Sequence, residues 1–160
     1  MRTRSMSSSQ RWRRRIALAV ALAVAGAVGI VAAVVPAFAL ETRRTIGNGV
    51  ASCPAGYVCL WTLSNYTGQG YAFYNSETDY GTLPAPFNGI QDFSWSFYNN
   101  GDRSDILFFR DHLYQGDWFV LCKQTGIPYL PPNGELPTAA NEPGRGWRDQ
   151  ISSHHSGAWC

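Results

Sequence analysis

One short pattern occurs twice in this chain and constrains its fold more than any other feature. Each copy has an aromatic residue, four intervening residues, a second aromatic residue, one further residue and a glycine. The copies lie 48 positions apart and consist of Trp61, Tyr66 and Gly68, then Phe109, Tyr114 and Gly116. Glycine permits the sharp turn that brings the second ring of a hairpin over the first. The pattern therefore predicts two hairpin corners of the same construction.

A second recurrence follows each copy and supports a duplicated unit. Asp92 to Ser96 and Asp149 to Ser153 share an aspartate at the first position and a serine at the fifth. These segments are 57 positions apart, nine more than the aromatic patterns. The extra residues fall in the proline-rich segment 125–145, which we interpret as an insertion in the second unit.

The sequence after Leu40 favours strands over helices. No stretch keeps the apolar spacing of an amphipathic helix over three turns, whereas aromatic and β-branched runs recur between turn-forming residues. The predicted strands are Tyr57–Leu63, Gly70–Tyr74, Trp95–Asn99, Asp105–Arg110 and Trp118–Lys123. We predict an all-β domain in which residues 125–145 form a long loop.

The first 39 residues have the layout of a secretory signal peptide. They contain six arginines and no acidic residue, an uncharged apolar run from Ile16 to Pro36, and the ending Ala37-Phe38-Ala39. A retained membrane anchor is the alternative, because the 24 uncharged residues from Ile16 to Ala39, at about 1.5 Å each, would span a bilayer. We expect cleavage, secretion to the extracellular space, and no stable membrane association afterwards.

The charge balance of the remaining chain excludes nucleic acid as a partner. Residues 40–160 contain seven basic and eleven acidic side chains, since six of the 13 basic residues lie in the leader. Phosphate recognition requires clustered cations that this part of the chain lacks. Its length suits a single domain with a core of its own, which we expect to be a monomer.

The four cysteines all follow the leader, at positions 53, 59, 122 and 160. An even number in an oxidising compartment favours two disulfides over metal ligation or a thiol nucleophile. Three pairings are possible. Pro54 and Gly56 form a turn signal between Cys53 and Cys59, which favours a local bridge there and leaves Cys122 to pair with Cys160.

These motifs resemble a known fold and a known family. The doubled aromatic pattern with its Asp-to-Ser segments resembles the Greek-key signature of the βγ-crystallins. The opening Cys53-Pro-Ala-Gly-Tyr-Val-Cys59-Leu-Trp61 is similar to the start of the small secreted actinobacterial metalloproteinase inhibitors built on that fold. The resemblance implies a βγ-crystallin-like sandwich of two Greek-key motifs, stapled by disulfides. Its parts would be a flexible segment 40–51, motif one at 52–100 and motif two at 101–160.

The resemblance also raises the possibility of calcium binding. In crystallin-like domains the Asp-to-Ser segments supply ligands, which here would be Asp92, Ser96, Asp149 and Ser152. Gln91 and Arg148 replace the first Asn or Asp of the pattern, and Trp95 replaces a hydroxyl. A calcium ion requires six to eight oxygen ligands, so we expect weakened or abolished binding and no other cofactor. Alternatively, the aspartates and the serines Ser96 and Ser153 serve only to hold the turns.

For function, the resemblance implies inhibition of a secreted protease of the metalloprotease class by a rigid loop that occupies its cleft. Preorganisation supplies affinity in such inhibitors because little chain entropy remains to be lost. Their reactive bond lies beside a disulfide cysteine, which corresponds here to Leu121, Cys122 and Lys123. Lys123 departs from the apolar residue that thermolysin-type enzymes prefer after the cut. Tyr129 and Leu130, flanked by prolines, form a second candidate surface.

An enzyme is not expected. The chain lacks a Gly-x-Ser-x-Gly elbow, a His-Glu-x-x-His helix and a phosphate loop. Asp111 and Asp117 have no spacing that marks a glycosidase pair. The adjacent His154 and His155 would point to opposite faces of a strand, and we interpret them as solvated tail residues.

The alternative function is a secreted carbohydrate- or cell-wall-binding module, because exposed aromatic rings stack on sugars. Most aromatic positions have repeat or strand placements that predict burial. Those expected to be exposed are Tyr129, Trp147 and Trp159. A calcium-stabilised stress protein is a third hypothesis.

Overall fold

The structure is a computed structural model that describes residues 41–132, 136, 140–141 and 146–160. The signal peptide predicted at 1–39 and much of the predicted insertion lie outside the described residues. Within the described ranges, no helix has the length and apolar character needed to cross a membrane.

Short strands make up the regular structure. They are β1 (Arg43–Ile46), β2 (Val58–Leu63), β3 (Thr67–Phe73), β4 (Ser96–Asn99), β5 (Asp105–Phe109), β6 (Trp118–Leu121), β7 (Gly126–Ile127) and β8 (Ser153–Gly157). Single 3₁₀ turns occupy Val50–Ser52, Tyr80–Thr82, Phe87–Ile90 and His112–Tyr114. The prediction of an all-β chain is confirmed, and each of the five predicted strands is present with ends shifted by at most three residues.

The strands form two antiparallel sheets. The first has the order β1-β3-β2-β4-β7 and the second β6-β5-β8. Trp61 of β2 lies opposite Gly70 and Ser96, while Phe109 of β5 lies opposite Trp118 and Ser153. These partners are separated by the same 48 and 57 positions as the sequence repeat. The duplicated unit is therefore a duplicated arrangement of three strands.

The main core lies between the two sheets. The ring of Phe97 on β4 packs 4.8 Å from that of Phe108 on β5, and Phe108 stacks on Phe119 at 5.1 Å. Trp61 and Cys59 belong to a second cluster on the other face of β2, because successive strand residues alternate between faces. Strand β2 is thus buried on both sides, which fixes the first corner and the first disulfide on a rigid support.

Strand β1 corrects the expectation that segment 40–51 is flexible. Arg43 to Ile46 pair with β3 along the edge of the first sheet. The guanidinium of Arg43 donates to both carboxylate oxygens of Glu77, at 2.6 and 2.8 Å. Two adjacent arginines and a threonine give this strand no apolar alternation, so its partners rather than its own pattern determine its structure.

Strand β8 corrects the interpretation of the two histidines. His154 is completely buried, whereas His155 is exposed on the opposite face. The hydroxyl of Tyr80 lies 2.7 Å from Nδ1 of His154, and the carbonyl of Asn75 lies 3.0 Å from Nε2. Burial is the main reason that the pKa of His154 is lowered to about 3. This histidine is a neutral core residue and not part of a solvated tail.

Candidate inhibitory site

The two aromatic patterns form two corners with the same geometry. The rings of Trp61 and Tyr66 lie 5.4 Å apart, and those of Phe109 and Tyr114 lie 5.7 Å apart. Gly68 and Gly116 have φ of 82° and 76°, a conformation that favours glycine. A side chain at Gly68 would also place its Cβ 2.5 Å from the Thr62 hydroxyl.

A serine from the later segment holds each corner. Ser96 Oγ accepts the backbone N–H of Tyr66 at 3.0 Å and donates to the carbonyl of Leu63 at 2.7 Å. Ser153 Oγ accepts the backbone N–H of Tyr114 at 3.3 Å and donates to the carbonyl of Asp111 at 2.7 Å. Ser96 is one of the predicted calcium ligands, but its buried hydroxyl donates and accepts within this corner.

The remaining calcium candidates form two unlike groups. Asp92 accepts from the Ser152 hydroxyl at 3.0 Å and from the Gln91 amide at 2.8 Å. Gln91 Nε2 also donates to Ser152 Oγ at 2.7 Å, while Oε1 of Gln91 is buried with no hydrogen-bond partner among the described residues. This group therefore offers three kinds of oxygen but only one carboxylate, fewer oxygens than calcium requires.

The second group does not fit a cation. Asp149 Oδ1 accepts the indole N–H of Trp95 at 2.7 Å. The guanidinium of Arg148 lies over the Trp95 ring at 4.0 Å and donates to the Tyr129 hydroxyl at 2.6 Å. A cation–π stack and a fixed positive charge occupy the position where a metal would need oxygens.

The two disulfides pair Cys53 with Cys59 and Cys122 with Cys160, which confirms the predicted pairing. The first closes the loop ahead of β2. The second joins the end of β6 to the last residue of the chain, with the two Cα atoms 5.8 Å apart. It therefore fixes the point where the chain leaves the second sheet.

A tight turn follows Cys122 directly. Thr125 donates its backbone N–H to the Cys122 carbonyl at 3.3 Å and its hydroxyl to the same oxygen at 2.6 Å. Gln124 has φ of 56°, and its side-chain amide donates to the Gly101 carbonyl at 3.0 Å. Lys123 and Gln124 are exposed at the tip. The segment Cys122–Thr125, called the Lys123 turn below, thus projects into solvent from a fixed base.

Asp105 ties this turn to the C-terminus. Its buried carboxylate accepts the backbone N–H of Lys123 through Oδ1 at 3.1 Å, and those of Trp159 and Cys160 through Oδ2, each at 2.8 Å. The bond from Cys160 is the largest of the effects that lower the pKa of this carboxyl, and the other two backbone bonds add to it against burial. The carboxylate and the disulfide therefore clamp the same two chain segments together. Sequence reasoning missed this residue, since its partners are 18, 54 and 55 positions away.

The second candidate surface is less open. Leu130 is fully buried, which corrects the expectation that it lies on an exposed loop, whereas the Tyr129 ring is 43% exposed. The neighbouring backbone is engaged, because Asn65 N–H donates to the Pro128 carbonyl at 2.6 Å and Leu130 N–H to the Trp95 carbonyl at 2.8 Å. A peptidase that binds extended substrate chain would find these atoms already paired.

Two aromatic predictions have different outcomes. Trp159 is 46% exposed, as expected for an accessible ring. Trp147 was also expected to be exposed but is completely buried. It packs against Phe119 at 5.1 Å and under the Arg110 guanidinium at 4.7 Å. Its position in a segment without regular structure concealed this tertiary burial.

Residues 48–121 match the model of peptidase inhibitor family I36. The match covers 74 of the 160 residues, so this part of the chain is similar to that family. The matched residues include the first disulfide and both aromatic patterns, and they end one residue before the Lys123 turn. Because the family consists of peptidase inhibitors, the prediction that the chain is not an enzyme is confirmed. No curated protein matches the sequence of this chain.

Solved structures have a fold similar to that of this chain. A structure from work on the evolution of the eye lens βγ-crystallin domain fold has a TM-score of 0.55 and 20% identity, covering 74% of this chain and 99% of its own. A second similar structure is a βγ-crystallin from Ciona intestinalis, with a TM-score of 0.48 and 17% identity, covering 64% of this chain and 100% of its own. A third is spherulin 3a from Physarum polycephalum, with a TM-score of 0.48 and 20% identity, covering 73% of this chain and 98% of its own. The structure from the eye lens work, together with the two disulfides, shows that this chain has a disulfide-bonded βγ-crystallin-like fold.

Proposed function

We propose that the protein is secreted and inhibits a metallopeptidase by placing the Lys123 turn in the active-site cleft. The observation that carries the proposal is the clamp at the base of this turn. A disulfide holds Cys122, a buried carboxylate holds the backbone of Lys123, and Gln124 is tied to Gly101. The exposed tip is short, and its base cannot swing away from the sheet.

Rigidity is the physical reason that such a turn inhibits. A flexible substrate loses chain entropy on binding, whereas the Lys123 turn has lost most of it on folding. The Cys122–Lys123 bond also lies inside the loop closed by the Cys122–Cys160 disulfide. If a peptidase cuts this bond, both new ends remain held by the disulfide and by Asp105. The products therefore separate slowly and the cleft stays occupied.

Secretion and domain organisation belong to the same proposal. Removal of residues 1–39 would leave a protein with both disulfides in the oxidising environment that such bonds require. The inhibitor domain would span 52–160, with motif one at 52–100 and motif two at 101–160. N-terminal sequencing of protein purified from the medium of an expressing host should begin at Leu40, whereas a retained leader would contradict this part of the proposal.

The test is a titration of this secreted protein against metallo-, serine and cysteine peptidases. We expect stoichiometric loss of activity for at least one metallopeptidase, with reduced and alkylated inhibitor as the inactive control. No inhibition of any peptidase at micromolar concentration would contradict the proposal. Retention of the protein on chitin, peptidoglycan or glucan, without inhibition, would favour the carbohydrate-binding alternative.

A further inference from the structure

We infer that Lys123 determines which peptidase is inhibited, and that the target cleft has an acidic pocket that selects lysine. The inference rests on the proposed function, because it assumes that the Lys123 turn enters the cleft. The inference adds a chemical property of the target peptidase, the acidic pocket, which the backbone of the turn does not specify.

Lys123 is the only lysine among the 160 residues. All other basic side chains are arginines, and those that the structure describes have partners. Arg43, Arg44, Arg103 and Arg110 form ion pairs with carboxylates, and Arg148 stacks on Trp95 and Tyr129.

The Lys123 ammonium makes no hydrogen bond or ion pair with the described residues. Asp105 attracts it electrostatically, but both oxygens of that carboxylate accept backbone N–H groups. Arg103 is also largely exposed and only loosely paired, but it does not lie on the clamped turn. Lys123 is therefore the described cation that this turn presents to a partner.

The form of the side chain suits this role. Lysine carries a compact charge with three donors at the end of a flexible apolar stem, so it can reach into a narrow pocket. An exposed ammonium loses its hydration when a cleft closes over it, and an apolar pocket returns nothing for that loss. A pocket with a carboxylate at its base restores the lost interactions. Binding of the turn is therefore favoured in a cleft with an acidic pocket and disfavoured in one with an apolar pocket. Charged groups produce specificity in this way.

Charge elsewhere on the molecule does not supply this complementarity. Residues 40–160 have four more acidic than basic side chains. General attraction to an acidic cleft is therefore absent, and any preference for such a cleft must come from a local cation. Lys123 is the cation at the tip of the turn.

The experiment compares inhibition constants against two sets of peptidases, one selective for lysine and one selective for apolar residues, each including metallo and serine classes. The variants are Lys123→Met, which keeps the length and removes the charge, and Lys123→Arg, which keeps the charge. Arg103→Met is the matched control, because that side chain is 89% exposed and pairs with Asp102 only at 3.9 Å. Melting temperatures of all variants establish that each is folded.

We expect wild-type protein to inhibit a lysine-selective peptidase, and Lys123→Met to weaken this inhibition by about 30-fold or more. Lys123→Arg should retain more inhibition than Lys123→Met, and Arg103→Met should have no effect. Equal inhibition by wild type and Lys123→Met, or inhibition confined to apolar-selective peptidases, overturns the inference and leaves the proposed function in place. Absence of inhibition by the wild type overturns both.

Discussion

At the scale of single residues, Asp105 is the side chain on which the turn most depends. Asp105→Asn keeps the shape but removes the charge that three backbone N–H groups share. Because hydrogen bonds to a charged group are worth more than neutral ones, the variant should lose about 2 kcal/mol in the free energy of unfolding. It should also be cleaved faster by the target. Asp102→Asn, at a side chain 80% exposed, is the control and should change neither quantity; equal behaviour of the two variants would contradict the clamp.

His154 gives a prediction at the same scale about pH. Its pKa is about 3 in the folded protein and near 6.5 in the unfolded chain, so the unfolded chain binds more protons between these values. Stability from this residue is complete above pH 6.5 and falls as the pH is lowered towards 3. Between pH 7.5 and 5, the loss should be about 2 kcal/mol. Urea titrations of His154→Gln should show a smaller pH dependence of the free energy of unfolding than wild type; an equal pH dependence would place the titrating group elsewhere.

At the scale of elements, the two corners should respond alike to mutation. Ser96→Ala and Ser153→Ala each remove a hydroxyl that satisfies one backbone donor and one acceptor. Each should cost about 1 to 2 kcal/mol in the free energy of unfolding, because two hydrogen bonds to partly buried backbone groups are lost. Ser94→Ala is the matched control, since the buried Ser94 hydroxyl has no hydrogen-bond partner in the part of the chain that the structure describes and its removal should cost little. A large loss for Ser94→Ala, or none for the other two, would contradict the proposed role of the corners.

The elements also show why only part of the structure could be predicted. The aromatic pairs of the corners were recognisable because their two rings are five positions apart in the sequence, and the repeat placed both copies. Strands β1 and β8 have polar sequences whose structure comes from distant partners such as Glu77 and Tyr80. Trp147 and Leu130 lie in segments without periodicity, and tertiary packing alone buries them. In the candidate site, sequence pattern could indicate Cys122 and Lys123, but not the Asp105 clamp.

At the scale of the whole molecule, stability should not depend on calcium. At one of the two candidate calcium sites, the hydrogen bond from Trp95 to Asp149 and the Arg148 guanidinium over the Trp95 ring stand where oxygen ligands would be needed. The other candidate site, around Asp92, offers one carboxylate. A calcium ion that binds only the folded state would raise the melting temperature, so melting with and without calcium tests for binding. The melting temperature should be the same in millimolar calcium and in chelator. An increase of several degrees with calcium, absent in Asp92→Asn, would contradict this prediction.

The most direct test of the whole account is the mass of the inhibitor after incubation with its target peptidase. Cleavage at Cys122–Lys123 adds one water but leaves the pieces joined through Cys122 and Cys160. We predict one species under non-reducing conditions, about 18 Da heavier than intact protein. Reduction should then release a fragment that begins at Lys123. Inhibition accompanied by a cut elsewhere, for example beside Tyr129, or by fragments that separate without reduction, would contradict the account.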